Sequence, residues 1–322
     1  MKPLVSILTP CYNGERKVKF FLESILNQTY DNIEFIIVND GSTDKTEEIL
    51  LSYEKFFKKR GYKFIYLKQN NSGPGAALNN GLKYFSGDYL MWPDSDDILS
   101  PTHVEEKVNY LENNKDKGLV FCNVNIVEEK NIKKVIQKKE KILYNDRKKN
   151  FEDILLNGWS FSGAWMIRTK DFLKINPDRN IIIITGEGQN WQLLLPMAWN
   201  YDMGKINRYL YTCVTYKDSH SHKRETYEKF LYRINNIING INEILKDINM
   251  EKSIYEYYKR CMADRFSLMK LNMAIDYLNK EDSKKIYDEL SMNNIEISLK
   301  TKIKYYLNQY GMYRYIKNIK NK

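Results

Sequence analysis

Tyr89-Leu90-Met91-Trp92-Pro93-Asp94-Ser95-Asp96-Asp97-Ile98-Leu99 sets an apolar run directly against a cluster of carboxylates. Carboxylates crowded this closely repel one another unless a cation lies between them, and the end of a strand can hold such a group rigidly. A divalent metal site is one reading. A solvated turn is the other, because Asp and Ser favour turns and Pro93 and Pro101 bracket the segment. Only partners elsewhere in the chain can separate the two.

Those partners lie upstream. Short apolar runs at 5–8, 33–38, 64–67 and 89–92 read as strands, and 17–27, 43–59 and 75–85 have helical periodicity. This is a βα repeat. Near-continuous apolar strands joined by crossover helices predict a parallel sheet buried on both faces, with ligands at the carboxyl ends of its strands. The polar clusters fall there: residues 9–15 after the first strand, 39–44 after the second, 69–75 after the third and 94–97 after the fourth.

Downstream the pattern is mixed. Residues 118–127 read as a long strand, 132–141 as a basic edge or hairpin partner, 159–168 as a strand, 186–199 as a helix with its opening loop, and 209–216 as a last strand. Beyond Lys223 strand signals cease, and Ile234, Ile237, Ile238, Ile241, Ile244 and Leu245 recur at helical spacing. The expected division is an α/β catalytic domain at 1–222 and a basic helical C-terminal extension at 223–322.

Composition narrows the classes. At 322 residues, with 43% hydrophobic, the chain can fill a full core. Cys11, Cys122, Cys213 and Cys261 show no paired spacing, which argues against a disulfide framework or zinc knuckle. The apolar N-terminal stretch is too short for a secretory signal and is broken by Pro10. No apolar run approaches the ~18 residues of a membrane span, so a cytoplasmic protein is expected. The net charge is +10, and residues 297–322 carry seven Lys or Arg with no Asp or Glu. Tyr305, Tyr306, Tyr310, Tyr313 and Tyr315 interleave with them, a pattern that suits either an anionic membrane surface or tyrosines packed on a helical bundle.

The loops carry the chemistry. Asp40 ends an apolar strand on the ligand rim and can accept hydrogen bonds from a base or ribose, while Ser42, Thr43 and Asp44 read equally well as a turn with a helix cap. Gly73-Pro74-Gly75 opening a helix lets backbone approach a bulky ligand and offers free amides to an anion. Neither a Gly-x-x-x-x-Gly-Lys-Ser/Thr loop nor a Gly-x-Gly-x-x-Gly after the first strand is present, so P-loop and dinucleotide readings lose their main support.

Taken together, Val5-Ser6-Ile7-Leu8-Thr9-Pro10-Cys11-Tyr12-Asn13, Val38-Asn39-Asp40-Gly41-Ser42-Thr43-Asp44, Asn71-Ser72-Gly73-Pro74-Gly75-Ala76-Ala77-Leu78-Asn79-Asn80-Gly81-Leu82 and Pro93-Asp94-Ser95-Asp96-Asp97 resemble the four ordered blocks of family 2 glycosyltransferases. The resemblance covers about the first 220 residues. It implies the GT-A nucleotide-diphospho-sugar transferase fold, a Rossmann-like, mostly parallel mixed sheet. By position it implies Pro10, Tyr12 and Glu15 around the nucleoside, Asp40 on the base, Asn71, Gly73 and Ser95 in the donor site, Asp94 near the ribose, and Asp96 on Mn2+ or Mg2+. His220 and His222 resemble the late histidine that closes over the metal or diphosphate. Aligning Trp191 with the family's acidic-Asp-x-x-x-Trp element puts Glu187 at the catalytic base, with Gly186 where the first acid would stand. Leu78 replaces an arginine found in many relatives.

The resemblance implies a metal-dependent inverting glycosyltransferase that moves a sugar from a nucleotide-diphospho-sugar, taken as a UDP-sugar, to a hydroxyl of a glycan or lipid-linked acceptor in bacterial surface polysaccharide synthesis. The expected location is cytoplasmic or peripheral on the inner membrane face, through 297–322. A nucleotidyltransferase on a similar sheet and a non-catalytic glycan-binding relative are the alternatives. Nucleic acid is not an expected partner, since Asp94, Asp96 and Asp97 would repel its backbone. His103, Trp191 and Trp199 are expected to be structural, and Trp159 is the aromatic candidate for the acceptor cleft.

Overall fold

The computed structural model describes residues 2–158, 161–184, 189–217 and 225–314. The chain divides into two compact units, Met1–Lys223 and Arg224–Lys322.

The first unit is organised by one sheet. Strands β1 (Val5–Cys11), β2 (Ile33–Asp40), β3 (Lys63–Gln69) and β4 (Tyr89–Met91) run parallel in the order β3-β2-β1-β4, with α1 (Val18–Leu26), α2 (Thr46–Arg60) and α3 (Pro74–Gly81) in the crossovers. Val5 is level with Ile33 on one side and Tyr89 on the other, so the strands deliver their carboxyl ends to one edge. Beyond β4 the sheet becomes mixed. β5 (Ile98–Leu99) and α4 (His103–Asn113) precede the long β6 (Lys117–Glu128), whose hairpin partner is β7 (Asn131–Lys139). After α5 (Arg147–Asn157), β8 (Trp165–Arg168) lies antiparallel between β4 and β6. Helices α6 (Thr169–Ile175) and α7 (Gln189–Asn200) then lead to β9 (Asp202–Thr215), parallel to β6 and antiparallel to β5.

β2 shows why the parallel half forms. Its sequence Ile-Glu-Phe-Ile-Ile-Val-Asn-Asp is buried at every position, as a strand with both faces covered by crossover helices must be. Phe35 meets Phe21, Phe57 and Phe64 at ring-centroid distances of 6.0, 5.0 and 5.8 Å. From α1, Val18, Phe21, Leu22 and Ile25 supply the facing stripe at helical spacing. The fully buried Glu34 side chain is tolerated because Ser6 Oγ, Ser86 N, Ser86 Oγ and Lys63 Nζ all donate to it, tying β1, β2 and β3 at one level.

Three elements differ from the sequence expectation. β9 begins at Asp202, seven residues before the expected start, because pairing with β6 carries the polar stretch Gly204 to Arg208 into the sheet. The expected strand at 159–168 is regular only from Trp165; Ser162–Ala164 forms a 3-10 turn. There Gly163 lies against Tyr211, and a Cβ on it would come within 2.0 Å of the ring. β5 is two residues long and carries no periodicity to read.

The second unit contains α8 (Tyr227–Asp247), α9 (Lys252–Asp276), α10 (Lys280–Met292) and α11 (Leu299–Gln309). Thr226, Asn279 and Ser298 cap three of them through their side chains. Leu271, Ile275, Leu290, Ile297, Tyr305 and Tyr313 form a core, and Tyr305 stacks on Tyr287 at 3.9 Å. Part of the aromatic content of 297–322 is therefore core, while Tyr306 and Tyr310 face solvent. Residues 315–322 lie outside the described residues. The basic surplus also has a second seat: residues 130–149 hold nine Lys or Arg against two acidic side chains.

Candidate active site

Three of the four rim loops are fastened to one another before any ligand is considered, and the fourth is braced on β9. Asn13 N donates to Ser42 Oγ at 3.0 Å, Asn13 Oδ1 accepts from Thr43 N at 2.9 Å, and Gly14 N donates to Thr46 Oγ1 at 2.7 Å. Glu15 N and Lys45 N complete the seam by donating to Asp44 and Glu15 carboxylates. The third loop is held by Asp40. Its Oδ1 accepts from Gln69 Nε2 and Ser72 N, and its Oδ2 from Gly73 N at 2.8 Å. Gly41, at φ 72°, lets the second loop pass so close to the third that a Cβ would lie 2.5 Å from Asn71 N.

The fourth loop is the acidic one. Asp94 Oδ2 accepts from Ser162 Oγ, Asp97 accepts from Tyr211 Oη at 2.6 Å and Val214 N at 2.8 Å, and Tyr216 Oη donates to the Asp96 carbonyl. Asp97 is buried and braces the loop on β9; Asp94 and Asp96 are half-buried and face a cavity. That cavity, of about 820 Å³, is lined by Pro10, Tyr12, Glu15, Asp40, Asn71, Gly73, Asp94, Ser95 and Asp96, which are all the donor-side residues singled out from sequence.

Electrostatics make the acidic pair costly. Burial, and then repulsion from Asp96, raises Asp94 to about 7 against the opposing bond from Ser162. Burial raises Asp96 as well, opposed by Lys17, and raises Asp97 well above the usual carboxylate range. Among the described residues the cavity wall holds Glu15, Asp40, Asp44, Asp94 and Asp96 against only Arg16 and Lys17. An arrangement that suppresses ionisation of its own carboxylates is one that gains from a cation.

Sequence reading missed Lys17. It stands at the N-cap of α1, where a cation opposes the helix dipole, and that mismatch was the available signal. Its Nζ lies 3.8 Å from Asp96 Oδ2 and 4.3 Å from the Tyr216 ring centroid, and makes no hydrogen bond among the described residues. Ser162 and Tyr216 were missed too, because neither lies in a recognisable motif. Leu78 is buried in α3 and Cys11 is buried beneath the rim, its thiol pushed up to about 12 by burial.

Asp94 and Asp96 are hard oxygen donors beside a cavity large enough for a phosphorylated ligand, which fits Mg2+ or Mn2+ bound by few carboxylates and by substrate phosphates. Among the described residues no group of three or more His, Cys, Asp or Glu side chains forms a cage. Glu187, His220, His222 and Trp159 lie outside the described residues. Within them, Asn190 at the start of α7 accepts a hydrogen bond from Trp92 Nε1 at 2.9 Å, just before the acidic loop. His103 is buried between Leu210 O and Lys107 Nζ, a structural position. Trp191 donates to Ile154 O and Trp199 packs edge-on against Phe151.

Residues 6–174 match the family described as Glycosyl transferase family 2. A glycosyltransferase of Rickettsia typhi is 44% identical over 130 residues, which is 40% of this chain and 38% of that protein. One of Methanocaldococcus jannaschii is 31% identical over 263 residues, covering 80% of this chain and 78% of it. Among solved structures, Staphylococcus aureus TarS 1–349 in complex with UDP-GlcNAc aligns over 98% of this chain and 92% of its own, with a TM-score of 0.61 at 18% identity. The mannosyltransferase PcManGT of Pyrobaculum calidifontis, in complex with GDP-Man and Mn2+, aligns over 100% and 88%, with a TM-score of 0.54 at 14% identity. The matching fold is the GT-A fold.

Proposed function

Because the chain belongs to glycosyl transferase family 2, we propose that it is a glycosyltransferase that moves a sugar, with inversion and with Mn2+ or Mg2+, from a nucleotide-diphospho-sugar to a hydroxyl of a glycan or lipid-linked acceptor. The observation that carries this reading is the convergence of four fastened loops on one cavity whose floor is the Asp94–Asp96 pair with Lys17 beside it. UDP-sugar is the favoured donor, in line with the UDP-GlcNAc bound to TarS; the GDP-Man bound to the mannosyltransferase makes GDP the competing base. Synthesis of a bacterial surface polysaccharide is the setting this reading favours.

In this reading Pro10, Tyr12 and Glu15 flank the nucleoside, Asn71 and Gly73 lie along the donor, and Asp40 keeps their loop in place while facing the base. Asp94 and Ser95 sit toward the ribose, and Asp96 would hold the metal, with His220 or His222 as the expected further ligand. A bound divalent ion would neutralise the diphosphate as it leaves. Lys17, whose ammonium faces Asp96 and makes no hydrogen bond among the described residues, offers that diphosphate its N–H donors. The acceptor oxygen attacks the anomeric carbon, its proton passes to Glu187, and the electron pair of the broken C–O bond goes to the departing diphosphate. Inversion follows from one displacement with one base. The position of Asn190 against Trp92, at the start of the helix that follows Glu187, supports that assignment.

Titrating the full-length protein with UDP- and GDP-sugars identifies the donor, and Glu187→Gln tests the base. We expect Glu187→Gln to retain nucleotide binding and lose about a thousandfold or more of turnover. Turnover at the wild-type rate would remove Glu187 from the mechanism.

A peripheral location at an anionic membrane belongs to the same reading. No helix among the described residues is long and apolar enough to cross a bilayer.

A further inference from the structure

β7 is the least covered strand of the sheet. Of its nine residues only Ile132 is even partly buried, so both of its faces meet solvent. The strand carries Lys133, Lys134, Lys138 and Lys139, and Lys130 sits in the turn before it. Among the described residues none of these five ammonium groups is in an ion pair; Lys138 lies over the Tyr209 ring at 4.8 Å. Of the acidic residues nearby, Glu128 is exposed opposite Asn131, Glu129 faces Arg16, and the other two are engaged away from these lysines. Glu140 accepts from Tyr209 Oη and lies 3.9 Å from Lys205, and Asp146 caps α5.

Lysines on an exposed edge strand are a common defence against edge-to-edge pairing. That defence gives no reason for the apolar side chains placed among them. Val135 and Ile136, where the register with β6 shifts, are 41% and 50% exposed, and Ile142 and Tyr144 in the loop that follows are 61% and 42% exposed. Nucleic acid would engage the charges, but it calls for arginines and flat aromatic faces, and β7 has neither. Anionic headgroups over an interfacial zone match both classes of side chain together.

The arm also starts in the right place. Its turn, Glu129–Lys130, adjoins the donor cavity: Glu129 Oε2 lies 3.9 Å from Arg16 Nη2. Glu128, Glu129 and Lys130 share a second hollow of about 330 Å³ with Tyr216, whose ring Lys17 faces.

We propose that the β7 arm and the loop to Tyr144 form a docking surface for an anionic phospholipid bilayer, with Val135, Ile136, Ile142 and Tyr144 at the headgroup boundary and the mouth of the cavity held at the membrane. This deepens the peripheral location proposed above, from which it takes only the presence of an anionic membrane. It assigns contact to a surface of the first unit and not to 297–322.

The test is co-sedimentation of the full-length protein with phosphatidylcholine vesicles, with or without phosphatidylglycerol, at rising salt. Wild type should pellet with the anionic vesicles and be released by salt. The combined variant Lys133→Glu, Lys134→Glu, Lys138→Glu and Lys139→Glu should lower the partition about tenfold or more. Val135→Asn with Ile136→Asn should leave salt-sensitive binding that is several times weaker. Reversing Lys300, Lys302, Lys317 and Lys320 should change little. Thermal unfolding of each variant checks that it is folded. Undiminished binding by the β7 charge variant, loss confined to the tail variant, or binding of RNA without binding of vesicles would each overturn the proposal. No turnover is read, so failure of the donor or base assignments leaves the result intact.

Discussion

β2 and β7 are strands of one sheet, yet every residue of β2 is buried and β7 is exposed almost throughout. β2 is held by apolar layers on both faces. β7 is held by its hydrogen bonds to β6 and by little else, and even that pairing is interrupted by irregularities near Val127. The difference teaches where each half of the first unit stores its specificity. The parallel half places its chemistry at the strand ends and uses the strand bodies for stability. β7 carries its chemistry along its length, on side chains that contribute little to the fold.

The largest expected effect comes from the strand ends. Asp96→Ala should lower transfer about a thousandfold, measured as nucleotide release, with circular dichroism unchanged. A variant retaining a tenth of wild-type turnover would move the chemistry off this rim.

The strand bodies come next. Phe35→Ala on β2 should cost about 3–5 kcal/mol in urea unfolding of the full chain, whereas Val135→Ala on β7 should stay within about 0.5 kcal/mol. Similar costs at the two positions would erase the contrast between the strands.

Lys17→Met should raise the donor KM about tenfold with little change in unfolding, as loss of one charge-assisted phosphate contact would. An unchanged KM would return Lys17 to a merely local partner of Asp96.

The smallest effect is on pH dependence. In the fold Asp94 is raised to about 7, above the ordinary 3.8, by burial and then by Asp96. Its contribution to stability is therefore complete below its unfolded value and is lost as pH rises through about 7. In metal-free buffer the urea midpoint should fall across that window, and Asp94→Asn should flatten the slope. An identical slope in the variant would assign it to Asp97 or Asp96.

The parallel half was legible because its signals are local: continuous apolar strands, helical stripes and polar clusters at strand ends. The donor-side residues read from those clusters line one cavity for the same reason. What was not legible depends on contacts distant in sequence. Ser162 reaches Asp94 across 68 positions and Tyr211 reaches Asp97 across 114. β5 exists because β9 pairs with it, and β9 starts early because β6 extends it. Lys17 is marked in the sequence only by its place before α1, and its role depends on Asp96, which is distant in the chain. The basic tail stands out by composition, although the charge at 130–149 is as dense and four of its nine Lys or Arg lie on β7.

The seam that joins Asn13 to Thr43 and Asp40 to Ser72 and Gly73 has a kinetic consequence. A socket fastened by its own backbone loses little freedom when occupied, so nucleotide capture should be a single fast step without a slow settling phase. Any slow event in the catalytic cycle then belongs to the acceptor side, and a change of donor base would evolve through the few side chains facing the cavity, with the loops that carry them left as they are.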